Sequence, residues 1–243
     1  MNLLLTGFAL AALAALTLAI VWYLGLEHPF LQPIAIARAV VQLGLLSLVL
    51  SGIIRSPFLV GLFLAVMVLA ASWVVHSRLN LGLRSIPMIM GIIVVASALP
   101  TLVIFSVGAV EASPRYLLAL GGIVVGNAMT VSTLMGRGML AAFRTDRDEI
   151  EGWLALGAAP RQAARRVVRA AATTALIPST DQTRTTGMVT LPGSFVGAVF
   201  AGASPLVAAQ FQLLVLAAVL AAGAITVAAW TWFQGNPVRL PSH

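Results

Sequence analysis

The chain has 243 residues, 60% hydrophobic and 9% charged, with 14 basic and 7 acidic side chains and a formal net charge of +7. Soluble domains carry about 25% charged residues, so this composition excludes a soluble fold and points to an integral membrane protein. Every basic residue is arginine and there is no cysteine, which excludes a Walker A phosphate loop, disulfides and thiolate metal sites in this chain.

Three histidines, one of them His243, leave no zinc-hydrolase cluster. The positive charge reads as arginine held at a cytoplasmic membrane face, not as a nucleic-acid surface. The expected fold class is all-α: a polytopic transmembrane helical bundle of about seven spans with one amphipathic cytoplasmic segment.

Apolar runs place the spans at about 3–24, 34–53, 57–75, 86–107, 117–136, 185–203 and 207–233. Each has about the twenty residues a helix needs to cross about 30 Å of hydrocarbon. The first run lacks a basic flank, so it is expected to span and not to be a cleaved signal. Arg38 and Gln42 are one helical turn apart in the second run, where Arg38 snorkels or turns inward. Arg55 falls on an outside loop, and Arg78 and Arg84 on an inside one.

Asn127 sits near the middle of the fifth run, where an amide should face protein or a cavity. Met129, Met135 and Met139 follow it; methionine suits a soft metal and, more simply, fills packing gaps. The arginines between 137 and 169 mark a cytoplasmic segment of about 137–184. Counting outward puts the N-terminus outside, Arg115 outside, and the tail with Arg239 inside.

Within that segment, residues 146–175 have helical character. Asp146, Asp148, Glu149 and Glu151 come first, Trp153, Leu154 and Leu156 follow, and Arg161, Arg165 and Arg169 repeat every fourth position. Acid first and base last suits a helix dipole, and Gly157 and Pro160 should bend it. One reading lays the helix on anionic lipid headgroups; the other makes the acidic and apolar knob a grip for a partner.

The block STDQTRTTG at 179–187 reads as a capped helix start, with Asp181 in its first turn and able to pair with Arg184. Alternatively Asp181 is a gate at the cytoplasmic mouth. Met188 shares the ambiguity of the other methionines. Leu191-Pro192-Gly193 breaks the sixth span and could line a path, act as a hinge or serve as a packing kink. Gly197 and Gly202 extend a small-residue face suited to tight packing within the domain or against a second copy.

Glu151 followed six residues later by Gly157 matches the E-x5-G spacing of the coupling loop of ABC importer permeases. A longer match runs from LALGAAPRQAARRVVRAA through IPSTDQTRTTGMVTLPGSF to ASPLVAAQFQ. These residues, with Leu156-Gly157-Ala158, Ile177-Pro178, Asp181, Thr183, Gly187, Val189, Leu191-Pro192-Gly193, Ser204-Pro205-Leu206 and Gln210, resemble the FetB/YbbM-type ABC permease family. Asn127-Ala128-Met129, Arg38 and Gln42 also fit. That family includes bacterial iron exporters and plant aluminium-tolerance permeases. Ser194-Phe195 departs from the pair that relatives often carry after LPG.

The resemblance implies a single permease domain over 1–243, multi-pass in the cell inner membrane, without a nucleotide site or enzymatic activity of its own. It implies a separate ATPase subunit carrying ATP and magnesium, a permease homodimer in membrane lipid, and export of a metal such as iron or of a metal-linked solute. Glu149, Glu151, Trp153, Leu154, Leu156 and Gly157 would couple to the ATPase. Arg38, Gln42, Asn127, Asp181, Met188, Pro192 and Gly193 would line the path or gate. The rivals are an ion-gradient-driven secondary transporter, which would want paired acids in mid-membrane, and a scaffold passing ATPase motion to an outside partner.

Overall fold

The computed structural model describes residues 2–235, all of whose long elements are helices. Arg239 and the cytoplasmic tail expected around it lie outside the described residues. The chain divides into two compact units, Met1–Ser56 and Pro57–His243.

The first unit is a helical hairpin. Helix α1 (Leu3–Tyr23) is capped by Asn2, whose side-chain oxygen accepts from the Leu4 N–H at 3.1 Å. A turn through Gly25 and His28, both at positive φ, leads into α2 (Leu31–Ile53), which packs on α1. Both helices are mostly apolar, apart from Gln32, Arg38 and Gln42 on α2, and largely exposed, as expected of helices that lie against lipid.

The second unit is built around α5. Helix α3 (Pro57–Leu79), a 3-10 turn (Leu83–Ser85) and α4 (Ile86–Ser106) precede it. Helix α5 itself (Pro114–Thr145) has 32 residues, about 48 Å at 1.5 Å per residue, which exceeds the ~30 Å hydrocarbon layer. It is therefore longer than an untilted crossing needs. Four helices pack against it: α3, α4, α8 (Arg165–Thr185) and α10 (Pro205–Gln234). Between α5 and α8 lie two short helices, α6 (Arg147–Ala155) and α7 (Pro160–Ala163), and α9 (Gly193–Phe200) joins α8 to α10.

Glycine sets the spacing of these contacts. A Cβ added at Gly136 would fall 2.4 Å from Leu79 of α3, and one at Gly138 would fall 3.1 Å from the Ala171 Cβ of α8. With no strong hydrophobic drive between helices in lipid, such close backbone approach supplies the attraction. The main core, with Ile89, Ile92, Ile93, Val131 and Met135 almost fully buried, runs along this seam. Buried hydroxyls bond back to their own helix, as Ser72, Ser97 and Thr226 do, so no polar group faces lipid unpaired at these points.

Among the described residues six helical stretches are long and apolar enough to cross a membrane: α1, α2, α3, α4 with its 3-10 turn, α5 and α10. That is roughly the seven expected, and the difference is instructive. The expected span 185–203 is not one helix. Helix α8 ends at Thr185, the chain turns through Gly187 at φ +84 with a Thr186–Thr190 bridge, and α9 restarts at Gly193 behind Pro192. Proline and glycine, which cannot sustain a helix there, divide the passage.

The stretch 137–184 is not a separate unit hanging off the bundle. Residues 137–145 continue α5, and α8 does not lie apart from the bundle. Its Ala171, Ala175 and Ser179 are buried against α5 and α10. Pro178 lies inside α8, so the expected helix start at Ser179 or Thr180 is also corrected. The Ser179 hydroxyl donates backward to the Leu176 carbonyl instead of capping a new helix. Local propensity suggested a cap, but burial of α8 against α5 carries the helix through the proline.

Candidate functional site

The first feature is the knob between α5 and α8. Helix α6 is anchored by Ile150, which is fully buried, and by Leu154, half-buried against the same core. Arg166, at the start of α8, clamps it from the other side. The Arg166 Nε donates to Glu149 Oε1 at 2.7 Å, its Nη2 donates to Glu149 Oε2, and the same Nη2 stands 3.6 Å from Asp146. The hydrogen bonds from Arg166 hold the Glu149 carboxyl below its ordinary value.

Glu151 makes a more local pair, accepting from Arg147 Nε at 2.7 Å one turn earlier. Trp153 stays 52% exposed and Leu156 82% exposed. Gly157 then turns the chain at φ +87, a conformation costly for any residue with a Cβ, and Pro160 starts α7. The expected coupling residues thus divide. Glu149 and Leu154 brace the knob on the bundle; Glu151, Trp153 and Leu156 face outward; Gly157 shapes the bend. Ile150 was missed by sequence reasoning, although its place one turn before Leu154, among acids, marks the inner stripe of α6.

The second feature is a polar cavity of about 430 Å³ where the α8–α9 break meets α5 and α10. Asn127 and Thr130 of α5, Ser179 and Gln182 of α8, Ser194 of α9 and Gln212 of α10 supply its polar side chains, and Pro192 and Gly193 form part of its wall. Asn127 Nδ2 donates to the Val219 carbonyl at 2.9 Å, tying α5 to α10. The Ser194 hydroxyl bonds Gln212 Oε1 across the cavity, and Gln212 is buried. Asn127 stands about 15 Å along α5 from Arg137, at 1.5 Å per residue, on a helix long and apolar enough to cross a membrane.

Everything polar in this wall is an amide or a hydroxyl. It can hold a solute by neutral hydrogen bonds and by the first-turn N–H groups of α9. It offers no carboxylate or imidazole, and among the described residues no three His, Asp or Glu side chains are placed to hold a metal ion together.

Asn127, Pro192 and Gly193 share this wall, and Asp181 and Met188 are not part of it. Asp181 and Arg184 are exposed on α8, and the ion pairs among the described residues do not include them; the expected Asp181–Arg184 pair does not form. Met188 lies 87% exposed in the turn after α8. Met135 and Met139 are core residues, buried at the α5 seam. Arg38 and Gln42 are exposed on α2 in the first unit.

Ser179, Gln182, Thr130 and Gln212 were not singled out as path residues. Gln210 carried the sequence match, yet it is Gln212, two positions on, that points to the cavity; only the packing of α10 separates the two. Ser194, noted for its departure from the usual pair, does reach the cavity.

Against known proteins, residues 4–237 match the model of UPF0014, described as an uncharacterised protein family. The chain belongs to the UPF0014 family. Its relatives include the UPF0014 membrane protein YjkA of Bacillus subtilis, 30% identical over 79% of this chain and 78% of the relative. The rice membrane protein STAR2 is 33% identical over 87% of this chain and 74% of its own length. The Escherichia coli "Probable iron export permease protein FetB" is 28% identical over 74% of this chain and 71% of its own. No solved structure matches. With its apolar helices, this UPF0014 member is a multi-pass membrane protein.

Proposed function

We propose that this UPF0014 protein is the membrane-spanning permease subunit of an ATP-driven transporter, working with a separate ATPase that carries the phosphate loop, ATP and magnesium. The observation that carries this reading is mechanical. An exposed Trp153–Leu156 knob is locked to the start of α8 by the Glu149–Arg166 pair, and α8 runs from there to the polar cavity at its far end. A push on the knob moves α8 as a lever and opens or closes the cavity wall at the α8–α9 break. The chain itself hydrolyses nothing.

The reading includes a permease homodimer in the inner membrane, N-terminus outside and C-terminus cytoplasmic. Asp181, Gln182 and Arg184 are exposed on α8 at about the depth of the cavity. Charged groups at that depth do not face lipid; they face protein or water. A second copy across this α8 face would enclose them in a shared path, giving Asp181 a place along the route without a seat in the cavity itself.

A relative named as an iron export permease supports metal export as the task. The neutral cavity wall shapes that proposal. A bare hard cation prefers several anionic oxygens, so the metal travels here in company, as a liganded or metal-linked solute.

The test is reconstitution. Vesicles holding the chain and its companion ATPase should move metal complex only with hydrolysable ATP. Gradient-driven movement by the chain alone would establish a secondary transporter in its place.

A further inference from the structure

A second cavity, of about 520 Å³, lies at the cytoplasmic ends of α7, α8 and α10, away from the polar cavity in the bilayer. Its rim is Arg161, Arg165 and Arg169, its apolar floor Val168 and Ala172, and its far wall Thr231 and Trp232. Arg161 stacks over the Trp232 ring at 4.9 Å, which holds one guanidinium at the mouth and leaves its N–H edge free to donate. Gln162 is already engaged, accepting from the Ala159 N–H at 3.2 Å.

No acid lines this cavity, and Asp146, Glu149 and Glu151 of the neighbouring knob are paired with other arginines. Among the described residues the ion pairs are Arg147–Glu151, Arg166–Asp146 and Arg166–Glu149. Residues after Gly235 carry neither Asp nor Glu. Three guanidinium groups thus converge on one cavity with no carboxylate side chain to neutralise them, an arrangement that attracts an anion with several acceptor oxygens.

We propose that this cavity binds the phosphate of an anionic membrane phospholipid, with the acyl chain leaving along Val168 and Ala172. Three features favour lipid over a free anion or an acidic protein surface. Trp232 and Phe233 are both largely exposed at the end of a membrane-spanning helix, the setting of an interfacial aromatic belt. The floor is apolar, which suits a chain and not a hydrated ion. Arg78, Arg137 and Arg144 ring another cavity, of about 360 Å³, at the neighbouring end of α5, so arginine marks a headgroup layer at this end of the bundle. The bound lipid would fasten α8 and α10 together next to the lever, so its presence would stiffen the cytoplasmic end of the protein.

The experiment titrates the purified full-length chain in neutral detergent with dioctanoyl phosphatidylglycerol, dioctanoyl phosphatidylcholine and inorganic phosphate, reading heat of binding and melting temperature. Phosphatidylglycerol should bind and raise the melting temperature, and the other two should not. The double variant Arg165→Gln/Arg169→Gln should weaken binding by about 30-fold, about fivefold for each arginine, and Trp232→Ala should weaken it less. The charge-keeping Arg165→Lys/Arg169→Lys variant should retain most of the binding, which separates lost charge from lost fold.

Equal binding of inorganic phosphate would overturn the lipid assignment in favour of a free-anion site. Unchanged phosphatidylglycerol binding by the glutamine variant would overturn the site. So would loss of ATPase association in that variant with lipid binding intact, which would make the arginines a protein contact. None of these readouts depends on transport.

Discussion

Truncating Trp153 to alanine tests the proposed coupling surface most directly. A tryptophan offers up to about 250 Å²; with 52% of it exposed in this chain, about 130 Å² remains for a partner to cover. At about 25 cal/mol per Å² that area is worth about 3 kcal/mol, or about 200-fold in Kd. The expected outcome for Trp153→Ala is therefore a loss of about two orders of magnitude in affinity for the ATPase, at the scale of an interface hot spot. The bundle's melting temperature should change little, because Ile150 and Leu154 carry the inner side of α6. Binding of purified, detergent-solubilised chain to immobilised ATPase, beside a thermal melt, reads both quantities. Affinity within threefold of wild type with an unchanged melt would refute the knob as a docking surface.

Gly138→Leu should force α8 off α5, since even a Cβ there meets Ala171 at 3.1 Å; overpacking of this kind costs about 1–3 kcal/mol, read as a lower melting temperature. Gly91→Ala, with open space around it, should not lower it. Asp181→Ala should reduce ATP-driven flux in vesicles while leaving the melt unchanged, because the side chain is exposed and takes no part in the ion pairs among the described residues; equal loss of both would give Asp181 a structural role. The Glu149 carboxyl is held below its ordinary value of 4.5, so its contribution is fully present above that value and is lost as pH falls through the lower folded one. Amide exchange in α6 should accordingly rise as pH drops below about 4.5 after correction for intrinsic rates, and should already be raised at pH 7 in Glu149→Gln. Cysteine placed at Arg78 should label from the cytoplasm and at Arg115 from outside.

Much of this protein is legible from composition and pattern, because lipid imposes one rule. Backbone groups in hydrocarbon must pair within their own segment, so a long apolar run such as 57–75 or 86–107 has to become a helix. The same logic makes Asn127 a cavity residue and makes the Trp153–Leu156 patch, followed by Gly157, a protruding bend. The sixth span was misplaced for a physical reason. Its apolar run included Gly187, Pro192 and Gly193, which break it, while the helix before the break is α8, whose arginines and polar residues disguise a face buried through Ala171, Ala175 and Ser179.

Charge pattern records what a helix shows to water and says little about what its opposite face touches. Only the packing of α8 against α5 and α10, allowed by Gly138 and Gly223, joins Ser179, Gln182, Ser194 and Gln212 around Asn127. The same packing decides that Arg166 closes on Glu149 while Arg161, Arg165 and Arg169 are left facing an open cavity. These are contacts between residues far apart in the chain, set by the approach of helix backbones and invisible to any local periodicity.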